Sequence, residues 1–132
     1  MLQNTRTKSK QAFTLIELLV VVLILAILMA VSIPLYLSAV SESQRRTCRT
    51  NQRTIATAVE AARVKSMSVD YSSLIAGGAN SSNLPDLSLS TPLCPLSGTY
   101  SLSNGQGGTA SSYKVSCSIA SHGSFEPSID KN

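Results

Sequence analysis

Residues 18–31 form an uninterrupted apolar run, LLVVVLILAILMAV, and no charged residue occurs between Glu17 and Glu42. Further apolar residues, up to Leu37, extend this character beyond the run. A hydrocarbon core about 30 Å thick requires roughly 20 apolar residues in a helix, and this stretch supplies them. The sequence therefore predicts a long helix that lies in a lipid bilayer or in an equally apolar environment.

The twelve residues before this segment, MLQNTRTKSKQA, are interpreted as a leader and not as folded structure. They carry three basic residues, Arg6, Lys8 and Lys10, and no acidic one. Positive charge beside a membrane helix keeps that end of the helix in the cytoplasm. The whole chain has 11 basic and 7 acidic residues, but without residues 1–12 the count is 8 against 7. The basic surplus therefore indicates topology and not a nucleic acid partner.

The junction between the leader and the apolar run reads AFTLIELLVV. A secretory signal is cut after its apolar core, whereas this junction resembles the processing site of type IV prepilins and type II secretion pseudopilins. The resemblance implies that prepilin peptidase cuts between Ala12 and Phe13, that Phe13 becomes N-methylated, and that the apolar helix is retained. The family usually presents Gly before the cut. Some competence-pilus relatives resemble this chain in using Ala, so we expect cleavage, with its rate as the open point.

Glu17 lies five positions into the processed chain, at the head of the apolar helix. A carboxylate in this place is costly unless it has a partner. In the family, the matching glutamate approaches the new terminal amine of a neighbouring subunit, which neutralises two charges in an apolar core and sets the axial register. The alternative is that Glu17 is favoured only by the positive end of the helix dipole.

Pro34 divides the long helix, because proline lacks an N–H and clashes with the preceding turn. The family often has a proline here, at the start of a segment that loses helical order in filaments; a simple kink is the alternative. We assign residues 13–40 to the transmembrane and filament-core half, and residues 41–69 to an amphipathic outer half. The apolar side chains of the outer half recur at helical spacing, at Ile55, Ala58, Val59 and Ala62.

The C-terminal region, residues 70–132, begins as a stretch rich in Ser, Gly, Asn and Pro. It predicts a loop with one short helical turn near residues 71–75. Residues 98–103 and 112–119 alternate around the tip NGQGGTAS, which indicates an antiparallel hairpin over the amphipathic helix. We therefore predict a type IV pilin-like α+β fold, in which a helix that ends near Met67 packs against a small sheet of two to four strands.

Three cysteines, Cys48, Cys94 and Cys117, belong to a chain whose membrane segment indicates an oxidising outer compartment. We favour a disulfide between Cys94 and Cys117, at the base and the far arm of the hairpin, where closing the loop stabilises the fold by about 3 kcal/mol. Cys48 pairs equally well with either one on this reasoning, so three pairings stay open. The segments CPLSGTY and VSCSIASHG also resemble the C-terminal end of some small pilin-like proteins.

We expect no metal site, no cofactor and no enzymatic activity. The chain lacks a CxxC pair, and its one histidine, His122, is interpreted as a solvated loop residue. Asp86 and Asp130 invite comparison with the calcium site of major pseudopilins, but carboxylates are too sparse for a calcium shell. No His–carboxylate pairing, phosphate-binding loop or GxSxG motif occurs that would indicate catalysis.

Four arginines follow the membrane segment: Arg45, Arg46, Arg49 and Arg53. Such a cluster is able to bind DNA phosphates in a competence pilus, or acidic residues of neighbouring subunits. No aromatic residue is interleaved with the arginines, so the stacking surface of a single-strand binder is absent. We favour a stripe that faces solvent or lipid headgroups.

Together these features predict a structural subunit that waits as a single-pass protein in the bacterial inner membrane and is then assembled into an extracellular type IV pilus. The expected partners are further copies of the chain, prepilin peptidase, the assembly platform with its motor ATPase, and the lipid bilayer. The alternatives are a type II secretion pseudopilin, a competence pilin that brings DNA to the cell, and a plain single-pass protein with a small extracytoplasmic binding domain.

The processing hypothesis is tested by the intact mass of the chain from cells with and without prepilin peptidase. We expect the peptidase to remove residues 1–12 and to add one methyl group at Phe13. An unchanged mass in the presence of the enzyme would contradict the prepilin interpretation.

Overall fold

A computed structural model describes residues 13–79, Leu84, Leu87 and residues 92–130. In chain order, the elements within these residues are α1 (Leu15–Ser66), α2 (Ser72–Gly77), β1 (Tyr100–Asn104), β2 (Tyr113–Cys117), a 3₁₀ helix (Ala120–His122) and β3 (Ser124–Phe125). The predicted α+β fold is confirmed, because a long apolar helix at the N-terminal end accompanies a small antiparallel sheet of three strands. The chain divides into two compact units, Met1–Ala39 and Val40–Asn132.

The first unit contributes the apolar half of α1, and this helix is long and apolar enough to cross a membrane. Every large apolar side chain between Leu15 and Leu37 is exposed in the single chain. A continuous apolar surface of this length has to be covered by lipid tails or by other protein.

The helix α1 ends at Ser66, one residue before the predicted end. Met67 adopts a left-handed conformation with φ of 51°, which turns the chain out of the helix. The backbone N–H groups of Met67 and Ser68 donate hydrogen bonds to the carbonyls of Val64 and Arg63, at 3.3 Å each. These bonds satisfy carbonyl groups that the end of a helix otherwise leaves without partners.

The core of the second unit lies between the outer half of α1 and the sheet. The four predicted apolar positions of this half are all buried, and Val59 is fully enclosed. They form one cluster with side chains from α2 and the strands, among them Tyr71, Leu74, Leu102, Tyr113, Val115 and Phe125. The Tyr113 hydroxyl also donates to the Ala56 carbonyl over 2.9 Å, which ties the sheet to the helix backbone.

The sheet has the strand order β1-β2-β3, with both pairs antiparallel. Leu102 lies opposite Val115 in the first pair, and Val115 lies opposite Phe125 in the second. All three side chains are buried, so this row forms the apolar face of the sheet that packs against the core. The predicted hairpin is present with shorter strands, and β3 is a strand that the alternating pattern did not locate.

Val59→Ala tests this packing, because it removes two methyl groups from a site with no exposed surface. We expect the free energy of unfolding of the second unit to fall by about 1–3 kcal/mol. The measurement is a urea titration of the full chain in detergent, followed by near-ultraviolet tyrosine circular dichroism. Val64→Ala is the matched control, because Val64 lies on the same helix and is 75% exposed. The change from Val to Ala alters the helix propensity equally at both positions. An equal response of both variants would contradict the assigned core.

Candidate functional site

The start of α1 is organised by a reciprocal pair of hydrogen-bonding residues, Thr14 and Glu17. The Thr14 backbone N–H and hydroxyl donate to Glu17 Oε2 at 3.3 and 3.2 Å, and the Glu17 N–H donates to Thr14 Oγ1 at 3.3 Å. This is a capping box, in which two side chains satisfy backbone N–H groups that a helix start leaves free. Sequence analysis missed Thr14, although the pattern T-x-x-E before an apolar run signals this arrangement.

The expected processing residues lie directly at this helix start. Phe13 precedes the capping pair, and its side chain is 76% exposed. Ala12 lies outside the described residues. The assignment of the cut and of N-methylation therefore stays a prediction, made at a position where the chain is accessible at Phe13 and helical from Leu15 onward.

Pro34 lies within α1, and the helix is continuous on both sides of it. Nearby hydroxyl groups bond to the helix backbone: Ser32 Oγ donates to the Leu28 carbonyl over 2.8 Å, and Ser38 Oγ to the Leu35 carbonyl over 2.9 Å. Such local bonds accompany bends in helices. The proposed kink or melting segment stays a prediction.

The four arginines after the membrane segment each have a partner within the chain. Arg45 and Arg46 form ion pairs with Glu42 at 3.7 and 3.0 Å, and Arg49 pairs with Asp130 at 3.2 Å. The Arg53 guanidinium lies 5.6 Å from the ring centre of Phe125. These exposed pairs contribute little stability each, but they engage the cationic groups locally.

Asp130 is thus an acceptor for cationic and backbone donors. Besides the Arg49 guanidinium, it accepts the backbone N–H of Glu126 over 2.9 Å. Asp86, the other carboxylate considered for calcium, lies outside the described residues. The contacts of Asp130 give no support to the calcium hypothesis.

The three cysteines converge on one place together with the histidine. Their thiols are free, and the ligand atoms of Cys48, Cys94, Cys117 and His122 all lie within 4.8 Å of one another. Cys94 Sγ lies 3.7 Å from Cys117 Sγ and 3.2 Å from His122 Nδ1, and the distance from Cys117 Sγ to the same nitrogen is 3.8 Å. The favoured pairing of Cys94 with Cys117 stays a prediction, because Cys48 belongs to the same cluster.

The interpretation of His122 as a solvated loop residue is wrong. Its side chain is buried, with 8% exposed, because the 3₁₀ helix Ala120–His122 turns the imidazole toward the sulfur atoms. The spacing of four residues between Cys117 and His122 was the available signal. The partners from distant segments, Cys48 and Cys94, have no sequence signature that joins them to it.

Two of the thiols have opposite acid–base behaviour. Burial raises the pKa of the Cys48 thiol to about 12, although the Tyr100 hydroxyl, 3.3 Å from the sulfur, acts in the other direction. Burial also acts to raise the pKa of Cys94, but hydrogen bonds from the backbone N–H groups of Leu96 and Gly98 outweigh it, so that this pKa is lowered. The loop at Cys94 therefore stabilises a thiolate.

Comparison with known proteins supports the resemblance seen at the helix start. Residues 7–33 match the model of the prokaryotic N-terminal methylation motif, a stretch that includes Ala12, Phe13 and Glu17. No curated protein and no solved structure matches the chain. The chain therefore carries a prepilin-type methylation motif on a pilin-like α+β fold, consistent with the type IV prepilin and pseudopilin family.

Proposed function

We propose that this chain is a structural subunit that polymerises into a type IV pilus after cleavage before Phe13 and N-methylation of that residue. The observation that carries the proposal is the methylation motif at residues 7–33, joined directly to a helix whose apolar side chains are exposed. A helix of this kind is retained after processing, because the cut precedes it. The same apolar surface then serves first as a membrane anchor and later as the filament core.

Both environments of the proposed subunit are apolar, which explains how one helix surface suits each of them. In the inner membrane, lipid tails cover the side chains from Leu15 to Leu37, and the cytoplasmic end is the one that carries the leader. In a filament, helices of neighbouring subunits replace the lipid. Head-to-tail contacts of this kind are heterologous, so they generate an open helical polymer and not a closed ring.

Glu17 is proposed to set the position of each subunit in the polymer. Its carboxylate is exposed in the single chain and is oriented by the two donors of Thr14. Cleavage creates a new, positively charged α-amino group on Phe13. In the filament, the α-amino group of a neighbouring subunit would lie at the same depth as the Glu17 carboxylate. Pairing removes two isolated charges from an apolar core, so it favours one axial register.

The proposed partners and location follow from this life cycle. The subunit requires prepilin peptidase for cleavage and methylation, and an inner-membrane platform with a motor ATPase for extraction into the extracellular filament. A role as a type II secretion pseudopilin uses the same motif and helix, and it is the second candidate. The engaged contacts of Asp130 favour the pilus over a pseudopilin that depends on calcium.

Glu17→Ala tests the register hypothesis in cells that assemble the subunit. Breaking a buried ion pair costs about 3–5 kcal/mol, so we expect at least about tenfold less sheared filament while the subunit remains cleaved and membrane-bound. Glu42→Ala is the control, because it removes an exposed carboxylate whose ion pairs within the described residues are with Arg45 and Arg46. Normal filaments from the Glu17 variant would refute the register argument, and intact mass verifies that processing is unchanged.

The competence alternative is tested by retardation of duplex DNA with the full chain in detergent. Because Arg45, Arg46, Arg49 and Arg53 already have partners, we expect no retardation at about 0.15 M salt, where exposed charges are strongly screened. Replacing all four with Gln should change nothing. Salt-sensitive binding by the unmodified chain that disappears in this variant would support a DNA-uptake pilin instead.

A further inference from the structure

We propose that Cys48, Cys94, Cys117 and His122 form a binding site for one zinc ion in the second unit. These four residues place three sulfur atoms and one ring nitrogen within 4.8 Å of one another. Three thiolates with one imidazole are a ligand set that zinc takes in closed structural sites, with tetrahedral geometry. This proposal departs from the expectation of no metal that the spacing of the sequence suggested.

The separations between the ligand atoms fit an ion of this size. With Zn–S near 2.3 Å and Zn–N near 2.0 Å, tetrahedral angles place two sulfurs about 3.8 Å apart and a sulfur and a nitrogen about 3.6 Å apart. The distance from Cys94 Sγ to Cys117 Sγ is 3.7 Å, and the distances from these sulfurs to His122 Nδ1 are 3.2 and 3.8 Å. Three of the four ligands are therefore close to their final places. The longest separation in the cluster, at most 4.8 Å, requires a closure of about 1 Å.

The composition of the cluster also favours a metal over a disulfide. A disulfide between Cys94 and Cys117 leaves the Cys48 thiol and the imidazole in the interior, where Cys48 has no exposed surface and His122 has 8%. A single zinc ion uses all four groups. Binding replaces the thiol protons, up to three of them, which pass to solvent as the ion enters.

The surrounding residues hold the ligands in place. The Tyr100 hydroxyl donates to the Cys48 sulfur over 3.3 Å. A donor of this kind orients a thiolate ligand and offsets its charge. A Cβ added to Gly98 would lie 3.0 Å from the Cys117 sulfur and 2.8 Å from Ile119 Cγ1, so glycine lets this loop approach the cluster.

The turn after the histidine is held by the helix. Gln52 of α1 is fully buried, and its Nε2 donates to the Gly123 carbonyl over 3.0 Å, directly after His122. The same carbonyl accepts the N–H of Cys117 over 3.3 Å. This arrangement ties two of the proposed ligands to the helix that carries the third, so the site is largely formed before an ion binds.

The arginine stripe supplies a charge that suits the loaded site. Zinc with three thiolates and a neutral imidazole carries a net charge of −1, which favours cationic groups nearby. Arg45, Arg46 and Arg49 line one surface cleft together with His122 and Glu42. Part of the arginine cluster thus lies beside the proposed site.

The proposed ion would crosslink four segments of the second unit. Cys48 belongs to α1, Cys94 precedes β1, Cys117 ends β2 and His122 lies in the 3₁₀ helix. A zinc ion shared by these segments fastens the sheet to the helix in a region that has few large apolar side chains. Structural zinc sites in small domains contribute directly to folding in this way.

The first experiment measures metal in the full chain, purified in detergent under reducing conditions and dialysed against zinc and then against buffer. We expect one zinc ion per chain by mass spectrometric metal analysis, and three sulfur neighbours with one nitrogen by zinc X-ray absorption. Cobalt substitution should give thiolate charge-transfer bands and the intense visible bands of tetrahedral cobalt. Chelation should lower the Tm by more than about 5 °C. No zinc under these conditions, or a cobalt spectrum without thiolate bands, overturns the proposal.

Variants separate the metal site from the disulfide. Cys48→Ser and His122→Ala should each weaken zinc binding by at least about tenfold, whereas Ser101→Ala, an exposed change on β1, should leave it unchanged. A disulfide would lower the mass of the chain isolated without reductant by two hydrogens relative to the reduced chain. If the chain shows this mass and binds no zinc even after reduction, the proposal is overturned. X-ray absorption on the unmodified chain counts the zinc ligands even where a variant fails to fold. This count does not depend on whether the chain assembles into a filament.

Discussion

The need to bury the apolar surface of α1 governs both units of this protein. In the outer half, side chains such as Val59 find their partners within the chain, on α2 and the sheet. In the inner half, from Leu15 to Leu37, no side chain of the described residues covers the helix. The stability of the first part is therefore intramolecular, whereas the second depends on lipid or on other protein. In the proposed filament, one helix would couple the fold of the subunit to its association.

Glu17 has one role in the single chain and a second, proposed role in the polymer. In the single chain its carboxylate completes the capping box with Thr14, which satisfies the helix start and also orients the side chain. In the proposed polymer the same carboxylate would meet the amine of a neighbouring Phe13. The capping bonds lower the entropy that such a pairing costs, because the carboxylate is already held at the end of the helix.

The cysteine and histidine cluster illustrates a limit of local patterns. Cys94 and Cys117 were expected to be neighbours because a hairpin brings its base and far arm together. Cys48 and His122 join them only because α1 packs against the sheet and a 3₁₀ turn follows β2. Spacing along the chain records neither event, so His122 looked like a surface residue until the packing placed it inside.

The amino-acid sequence alone determined the long apolar helix, the motif around Phe13 and Glu17, the buried face that includes Ile55 and Val59, and the hairpin. Each of these rests on a periodicity or on a motif confined to a few neighbouring residues. Only the tertiary structure decided the partners of the arginines, the place of β3 and the meeting of Cys48 with Cys94, Cys117 and His122. The reason is physical: contacts between distant segments depend on how helix and sheet pack, and that packing is a property of the whole core.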